Sequence, residues 1–334
     1  MNRNLLSASL ALALACAMCF ASEPAYDFKT VDFPGSNNTQ ISSINNRGEI
    51  SGLYFDSGGV GRAFYSVNGV LNTVPGLGDI FSQAGRRNER GMLVGDYVNP
   101  TDNKDHTFLF RNGVLTTLDN PPGGTAAVLD INEPGDMMSG TFTDSSSVTH
   151  GVIRSRFNWI PFDYPNAPNV RCTFATGLND RGVVVGLFST PTAPFLPTLC
   201  PVATPSGMPF QGRDHGFIEL PDETFFLLDP PNSIQTMPFD INNSGVIVGG
   251  YADSNTTHGF MLTDVTLAHG KAEGKFSTID FPGASLTFVL GINDKGDIAG
   301  AYKNPPGTPD CPATSLFCGA FHGFVATRAG HEPH

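Results

Sequence analysis

Charge is scarce in this chain: only 15% of its 334 residues are Asp, Glu, Lys or Arg. Basic residues are scarcer still, 19 Lys and Arg against 31 acids, for a formal net charge of −12. Phosphate backbones and anionic membrane surfaces are gripped by clustered Lys and Arg, so neither nucleic acid nor an acidic bilayer is an expected partner. After residue 21 no long apolar run occurs, and membrane insertion is not expected. Room for long helices is also missing, because 38 Gly and 26 Pro fill about a fifth of the positions and would break a helical pattern. The familiar chemical signatures are absent: no Gly-x-Ser-x-Gly elbow, His-Glu-x-x-His, phosphate loop or dinucleotide fingerprint can be found. What remains is a 40% hydrophobic chain with the punctuation of many short strands and tight turns, an all-β protein.

The N-terminus reads as an export signal. Arg3 precedes the apolar run Leu5–Ala21, and Cys19-Phe20-Ala21 supplies small residues before a cleavage point at Ser22. The expected parts are a signal peptide over 1–21, a linker over 22–27, one domain over 28–327 and a tail over 328–334. The expected location is secreted or periplasmic. A lipoprotein acylated at Cys16 is the lesser reading, since Ala13 stands where Leu is usual. Cys16 and Cys19 leave with the signal, so Cys172, Cys200, Cys311 and Cys318 remain. In an exported chain disulfides are the expectation, and the seven-residue step between Cys311 and Cys318 is too wide for a usual zinc pair.

An internal repeat dominates the rest. An apolar-Asn-x-x-Gly phrase occurs with its Asn at Asn45, Asn132, Asn179, Asn242 and Asn293, and Arg87 replaces the apolar residue before Asn88. Such a phrase between strands is a turn: the Asn side chain closes onto the backbone and Gly takes a left-handed conformation. A second Gly follows four residues after the turn Gly in five units. In the third unit, Gly140 follows Gly135 by five, which suggests a β-bulge in that strand. Two residues on stands an aromatic: Tyr54, Tyr97, Phe142, Phe188, Tyr251 or Tyr302. These six are expected in the core rather than as a sugar platform. A third strand begins Arg62-Ala63-Phe64, His106-Thr107-Phe108, His150-Gly151-Val152, His215-Gly216-Phe217, His258-Gly259-Phe260 or His322-Gly323-Phe324, and a fourth ends near Asp-x-Pro. The sixth unit lacks that fourth strand. Thr30-Val31-Asp32-Phe33-Pro34-Gly35 at the other end matches Thr278-Ile279-Asp280-Phe281-Pro282-Gly283, so the N-terminal strand over 28–35 is expected to complete the last unit. The expected architecture is a six-bladed β-propeller of four-stranded antiparallel blades, closed in this way, with blades over 38–76, 81–122, 125–165, 171–231, 235–283 and 286–326. These units resemble the HAF-type probable extracellular repeat, with Arg62-Ala63-Phe64 and the His-Gly-Phe phrases in place of His-Ala-Phe. That resemblance implies an exported repeat protein and brings no activity or site residues with it.

Five His recur at one position, and their spacing sets each opposite an Asp across a hairpin: His106 with Asp119, His150 with Asp163, His215 with Asp229, His258 with Asp280, and His322 with Asp32. They are expected to be structural cross-strand pairs, lying too far from the axis to converge on one metal. No metal site and no cofactor are expected, apart from weak Ca²⁺ binding at surface acids such as Asp102 with Asp105. Function is sought where the repeat is interrupted. Insertions over 189–214 and 303–321 share one face, which pairs Cys172 with Cys200 and Cys311 with Cys318 as staples. Two residues before each turn Asn stand Ser43, Arg86, Asp130, Gly177, Asp240 and Gly291. Asp130, Asp240 and Arg86 are therefore the catalytic candidates around one axis, with an ion-pair plug as the plainer role. Thr39, Ser82, Thr173, Thr236 and Thr287 either line the channel mouth or close turns. Arg87, Arg171, Arg213 and Asp214 are the ligand-binding candidates. The function expected is a monomeric exported propeller that binds an extracellular glycan, peptide or envelope component on its loop-bearing face. The alternatives are a hydrolase or lyase acting on a polysaccharide or ester polymer, and a surface-assembly protein.

Overall fold

The computed structural model describes residues 26–78, 80–191, 196–197, 211–306 and 320–329, and the side chains of all of these except 196, 197 and 211. Among the described residues the fold is all-β, 25 strands without a helix. After β1 (Tyr26–Thr30) the chain builds four-stranded antiparallel units in order. Unit 1 holds β2 (Thr39–Ile44), β3 (Ile50–Phe55), β4 (Gly61–Val67) and β5 (Val70–Thr73). Unit 2 holds β6 (Phe81–Arg87), β7 (Leu93–Asn99), β8 (Lys104–Arg111) and β9 (Val114–Leu118). Unit 3 holds β10 (Gly124–Ile131), β11 (Met137–Asp144), β12 (Thr149–Ser155) and β13 (Asn158–Phe162). Unit 4 holds β14 (Cys172–Leu178), β15 (Val184–Thr190), the short β16 (Leu196–Pro197), β17 (Gln211–Glu219) and β18 (Phe225–Leu228). Unit 5 holds β19 (Gln235–Ile241), β20 (Ile247–Ala252), β21 (Thr257–Ala268) and β22 (Lys271–Ile279). Unit 6 holds β23 (Leu286–Ile292), β24 (Ile298–Lys303) and β25 (His322–Arg328). β1 lies antiparallel along β25, from Tyr26 opposite Arg328 to Thr30 opposite Phe324. Units 1, 2 and 6 are separate sheets, whereas units 3 to 5 join into one 13-stranded sheet. The joins are slight, one parallel pair at Thr149 and Cys172 and another at Leu227 and Lys271.

Every Asn turn is built from its own side chain. Asn45 Oδ1 accepts from the N–H groups of Arg47 and Glu49, and Asn88, Asn179 and Asn242 repeat this. The turn Gly is left-handed throughout, with φ between +72° and +85°. In unit 3 the extra residue sits in this turn and not in the following strand. Asn132 Oδ1 accepts from the N–H groups of Gly135, Asp136 and Met137, after which β11 runs in unbroken register along β12. The expectation of a bulge between Gly135 and Gly140 is thereby corrected: a turn absorbs one more residue more readily than a central strand paired on both edges.

The bulges are on the inner strands instead, one in each unit, between Ile41 and Ser43 and at the equivalent places. They account for the second Gly of the repeat. A Cβ on Gly52, Gly95, Gly140, Gly186, Gly249 or Gly300 would come within 1.9–2.3 Å of an inner-strand carbonyl oxygen. The same Gly stands opposite the third-strand Phe, and Phe64, Phe108, Phe217, Phe260 and Phe324 are all fully buried. The repeated aromatics lie mostly in the core, with Tyr97, Phe142, Phe188 and Tyr302 at 2–8% exposure. Second strands are buried on both faces because neighbouring units cover them, and outer strands alternate with solvent.

Candidate functional site

The inner-strand bulge decides what the central axis is lined with. It turns the residues three and five before each turn Asn toward the axis, among them Gln40, Ser42 and Gln83 on one side and Leu129, Phe174, Phe239, Phe288 and Leu290 on the other. They enclose a cavity of about 400 Å³, within the usual range for small-ligand sites. Phe321, at the end of the second long insertion, completes its wall and lies under the Lys303 ammonium, 4.4 Å from the ring centre. The cavity is therefore on the side of the axis that carries the insertions.

Its floor holds three of the sequence candidates. Arg86 is 8% exposed, Asp130 3% and Asp240 5%. The guanidinium lies 3.7 Å from Asp130, 3.5 Å from Asp240 and 3.6 Å from Glu133. Burial opposes the Arg86 charge, but these carboxylates outweigh it and hold the guanidinium above its usual value. Burial raises both Asp130 and Asp240, although Arg86 and the backbone donors pull down on each. Each Asp has both oxygens engaged. Asp130 accepts from Ile131 N–H at 2.6 Å and Leu178 N–H at 2.7 Å; Asp240 accepts from Ile241 N–H at 2.7 Å and Ile292 N–H at 2.9 Å. The second donor in each case belongs to the next unit. Gly177 and Gly291 let units 4 and 6 approach the units that follow them in turn: a Cβ there would meet Asp240 Cα at 2.7 Å and Ser43 Cα at 2.8 Å. Chemically, the trio is a plug joining units 2, 3 and 5 across the axis.

Below the plug, on the Asn-turn side, a cycle of hydrogen bonds passes through all six units. The N–H of Asn46 donates to Glu89, Glu89 to Glu133, Glu133 to Asp180, Asp180 to Asn243, Asn243 to Asp294, and Asp294 back to Asn46, at 2.5–2.9 Å. Sequence reading did not single out this position. It was visible as the residue after each turn Asn, which is always an acid or Asn.

The other candidates lie elsewhere. Arg87 sits at the junction of units 1 and 2, 3.6 Å from Glu49 and over the Tyr65 ring. Arg213 donates to the Ser233 carbonyl at 3.0 Å, Asp214 is buried and accepts from the Ser189 hydroxyl, and Arg171 is exposed. None of these four lines the cavity. Four of the hydroxyls expected at the mouth or in turns fasten unit to unit: Thr39, Thr173 and Thr287 accept from the N–H groups of Phe33, Tyr164 and Phe281, and Ser82 from Ala63. Thr236 instead closes a local turn with the Ser233 hydroxyl at 3.0 Å. Cys172 is disulfide-bonded; its partner, and Cys200, Cys311 and Cys318, lie outside the described residues, as do Cys16 and the segment read as a signal.

Four of the five His–Asp sets meet as spaced. His150, His215, His258 and His322 bond through Nδ1 to Asp163, Asp229, Asp280 and Asp32 at 2.7–3.0 Å. The fifth is a correction: His106 bonds through Nε2 to Asp102 at 2.9 Å, not to Asp119. In units 3, 5 and 6 an aromatic follows the pairing Asp and stacks on the next unit, Tyr164 on Phe188, Phe281 on Tyr302 and Phe33 on Tyr54, at 3.7–4.0 Å. Asn120 stands there in unit 2 and turns inward to bond Asp105 and Ala126, while the Asp119 carbonyl accepts from the Trp159 indole at 3.1 Å. The acid that replaces it is the turn acid between second and third strands. Asp56, Asp144 and Asp253 hold that turn in units 1, 3 and 5 by accepting backbone N–H groups. Asp102 is also held by His106 and Lys104, and no group of three or more His, Cys, Asp or Glu suited to a metal ion occurs among the described residues.

No protein-family profile matches the chain, and no curated protein matches it. Solved structures similar to it include a mutant Aleuria aurantia lectin in complex with alpha-methyl-L-fucoside, 11% identical over 83% of this chain and 90% of that one, with a TM-score of 0.44. Aleuria aurantia lectin itself, described as a fungal lectin with a six-bladed beta-propeller fold and a novel fucose recognition mode, is 12% identical over 83% and 90% of the two chains at a TM-score of 0.38. A triple arginine-to-alanine mutant of AofleA from Arthrobotrys oligospora is 11% identical over 77% and 90% at 0.33.

Proposed function

We propose that this chain is an exported six-bladed β-propeller, closed by β1 as the outer strand of unit 6, that binds an extracellular ligand in its central cavity on the loop-bearing face. The closure is supported by side-chain chemistry. Tyr54, Tyr97 and Tyr251 each bond a Thr of their own outer strand at 2.8–3.0 Å, and Tyr302 makes the same bond to Thr30 of β1 at 2.9 Å. Export rests on the N-terminal signal pattern and on the resemblance to extracellular repeats.

One observation carries binding rather than catalysis. Above a floor whose Asp oxygens are engaged by backbone donors, the cavity keeps polar side chains with unspent capacity. Gln40 and Ser42 make no side-chain hydrogen bond among the described residues, and Gln83 uses only its Nε2. A general acid or base must reach a substrate proton, and every oxygen of Asp130 and Asp240 already accepts a backbone N–H beside the Arg86 guanidinium.

The test is to incubate the purified mature protein with insoluble polysaccharides and polyesters, and to follow protein depletion and soluble products by mass spectrometry. Depletion onto a polymer without products is the expected result. Products that vanish in Asp130→Ala or Asp240→Ala would instead establish the hydrolase or lyase reading.

A further inference from the structure

Resting on that binding reading, we infer that the cavity takes one ring of a neutral saccharide, its C–H face against Phe174, Phe239 and Phe288 and its hydroxyl edge against Gln40, Ser42 and Gln83. The two halves of the wall carry this assignment. Units 4 to 6 supply aromatic side chains, with the Phe239 and Phe288 rings edge to face at 5.9 Å, while units 1 and 2 supply amides and hydroxyls. A ligand that fits must be apolar on one side and a hydrogen-bonding group on the other, within a few hundred cubic ångströms. A sugar ring has that shape.

Charge argues for neutrality. Among the described residues Arg86 is the sole cation lining the cavity, and it lies between Asp130, Asp240 and Glu133 at 3.5–3.7 Å. An acidic sugar would have to compete with these carboxylates for it. A cationic sugar would have to share both Asp residues with Arg86 and with the backbone N–H groups they already accept. The group that sets the edge is Gln83. Its Nε2 donates to Asp96 Oδ1 at 2.9 Å, from behind the wall, where Asp96 is 4% exposed. That bond leaves Gln83 Oε1 as the atom offered to a ligand hydroxyl.

The experiment screens the full mature chain against neutral, uronic and amino oligosaccharides, then titrates the best neutral probe by calorimetry in 50 and 500 mM NaCl. A neutral probe is expected to bind with a Kd that changes less than about twofold with salt, since no ion pair forms. Gln40→Leu and Phe239→Leu are each expected to weaken it about tenfold, the loss of one hydrogen bond or one stacked face, with the melting temperature of Gln40→Leu unchanged. Selective binding of charged sugars, or of peptides, overturns the inference. So does a neutral probe that binds both variants as well as the parent, because its site is then elsewhere. If no oligosaccharide binds but the protein still depletes onto a polymer, the saccharide assignment falls and the binding reading stands. If nothing depletes the protein, both fall.

Discussion

Asp96 follows Gly95 at a position filled by Leu53, Thr141, Leu187, Gly250 and Ala301 in the other units. Burial pushes its carboxyl up to about 7, against the pull of the Gln83 amide, and Asp105 across the strand adds to the rise. Burial likewise pushes Glu219 up to about 7. A carboxyl whose folded value lies above its unfolded value binds more protons folded than unfolded. Its contribution to stability is therefore highest below about pH 4 and declines as pH rises to about 7. Turn acids such as Asp56, Asp144 and Asp253 are held low, first by backbone donors, and weaken the fold only at stronger acidity. Urea midpoints should therefore peak in mildly acidic buffer. Asp96→Asn should gain on the parent as pH rises from 4 to 7, by a few kcal/mol at most, and a constant difference would contradict the buried carboxylate. At this scale the sequence was partly legible. Arg86, Asp130 and Asp240 could be counted back from the turn Asn, but Gln40, Ser42 and Gln83 could not. A bulge reverses which side of a strand faces the axis, and no residue type announces it. Asp96 had a signal, a charge in an otherwise uncharged column, that only comparison of units exposes.

Strands tell a complementary story. Their order, and their number and pairing apart from the short β16 and the two parallel pairs that join units 3 to 5, followed from Asn-x-x-Gly and His-Gly-Phe spacing, because each phrase marks an obligatory turn or a fully buried ring. The exception in unit 2 shows what spacing omits: His106 bonds the turn acid Asp102, in the one unit where Asn120 follows the expected Asp and bonds Asp105 and Ala126 instead. β1 provides the sharpest test of an element assignment. If it is the outer strand of unit 6, Tyr302→Phe should cost about 1 kcal/mol, the usual worth of one such hydrogen bond. Tyr97→Phe and Tyr251→Phe should cost a similar amount in the same urea unfolding assay. A neutral Tyr302→Phe beside two destabilising partners would mean that Thr30 is not where β1 puts it.

On the scale of the molecule, stability resides in how closely the units approach. Gly177 and Gly291 mark two of these junctions, and the repeat alone could not distinguish them from channel-lining gaps. The distance from each to the next backbone makes the distinction. Gly177→Ala or Gly291→Ala must push one inner strand away from Asp240 or Ser43, at an expected cost of about 1–3 kcal/mol. Thermal unfolding would register that cost, and a full-stability alanine variant would show the strands to be further apart.

The cycle from Asn46 through Asp294 and back has a further meaning. All six of its bonds run in one direction, so no unit is first and none is last with respect to it. A linear stack of repeats needs special ends, whereas here the terminus that begins the chain is a matter of covalent convenience. The same protein, cut in the connection between units 3 and 4 and rejoined from residue 328 to residue 26 by a short linker, should fold to the same circle. A version shortened by one whole unit should not, because its remaining five donors would have to bend to meet around a smaller axis.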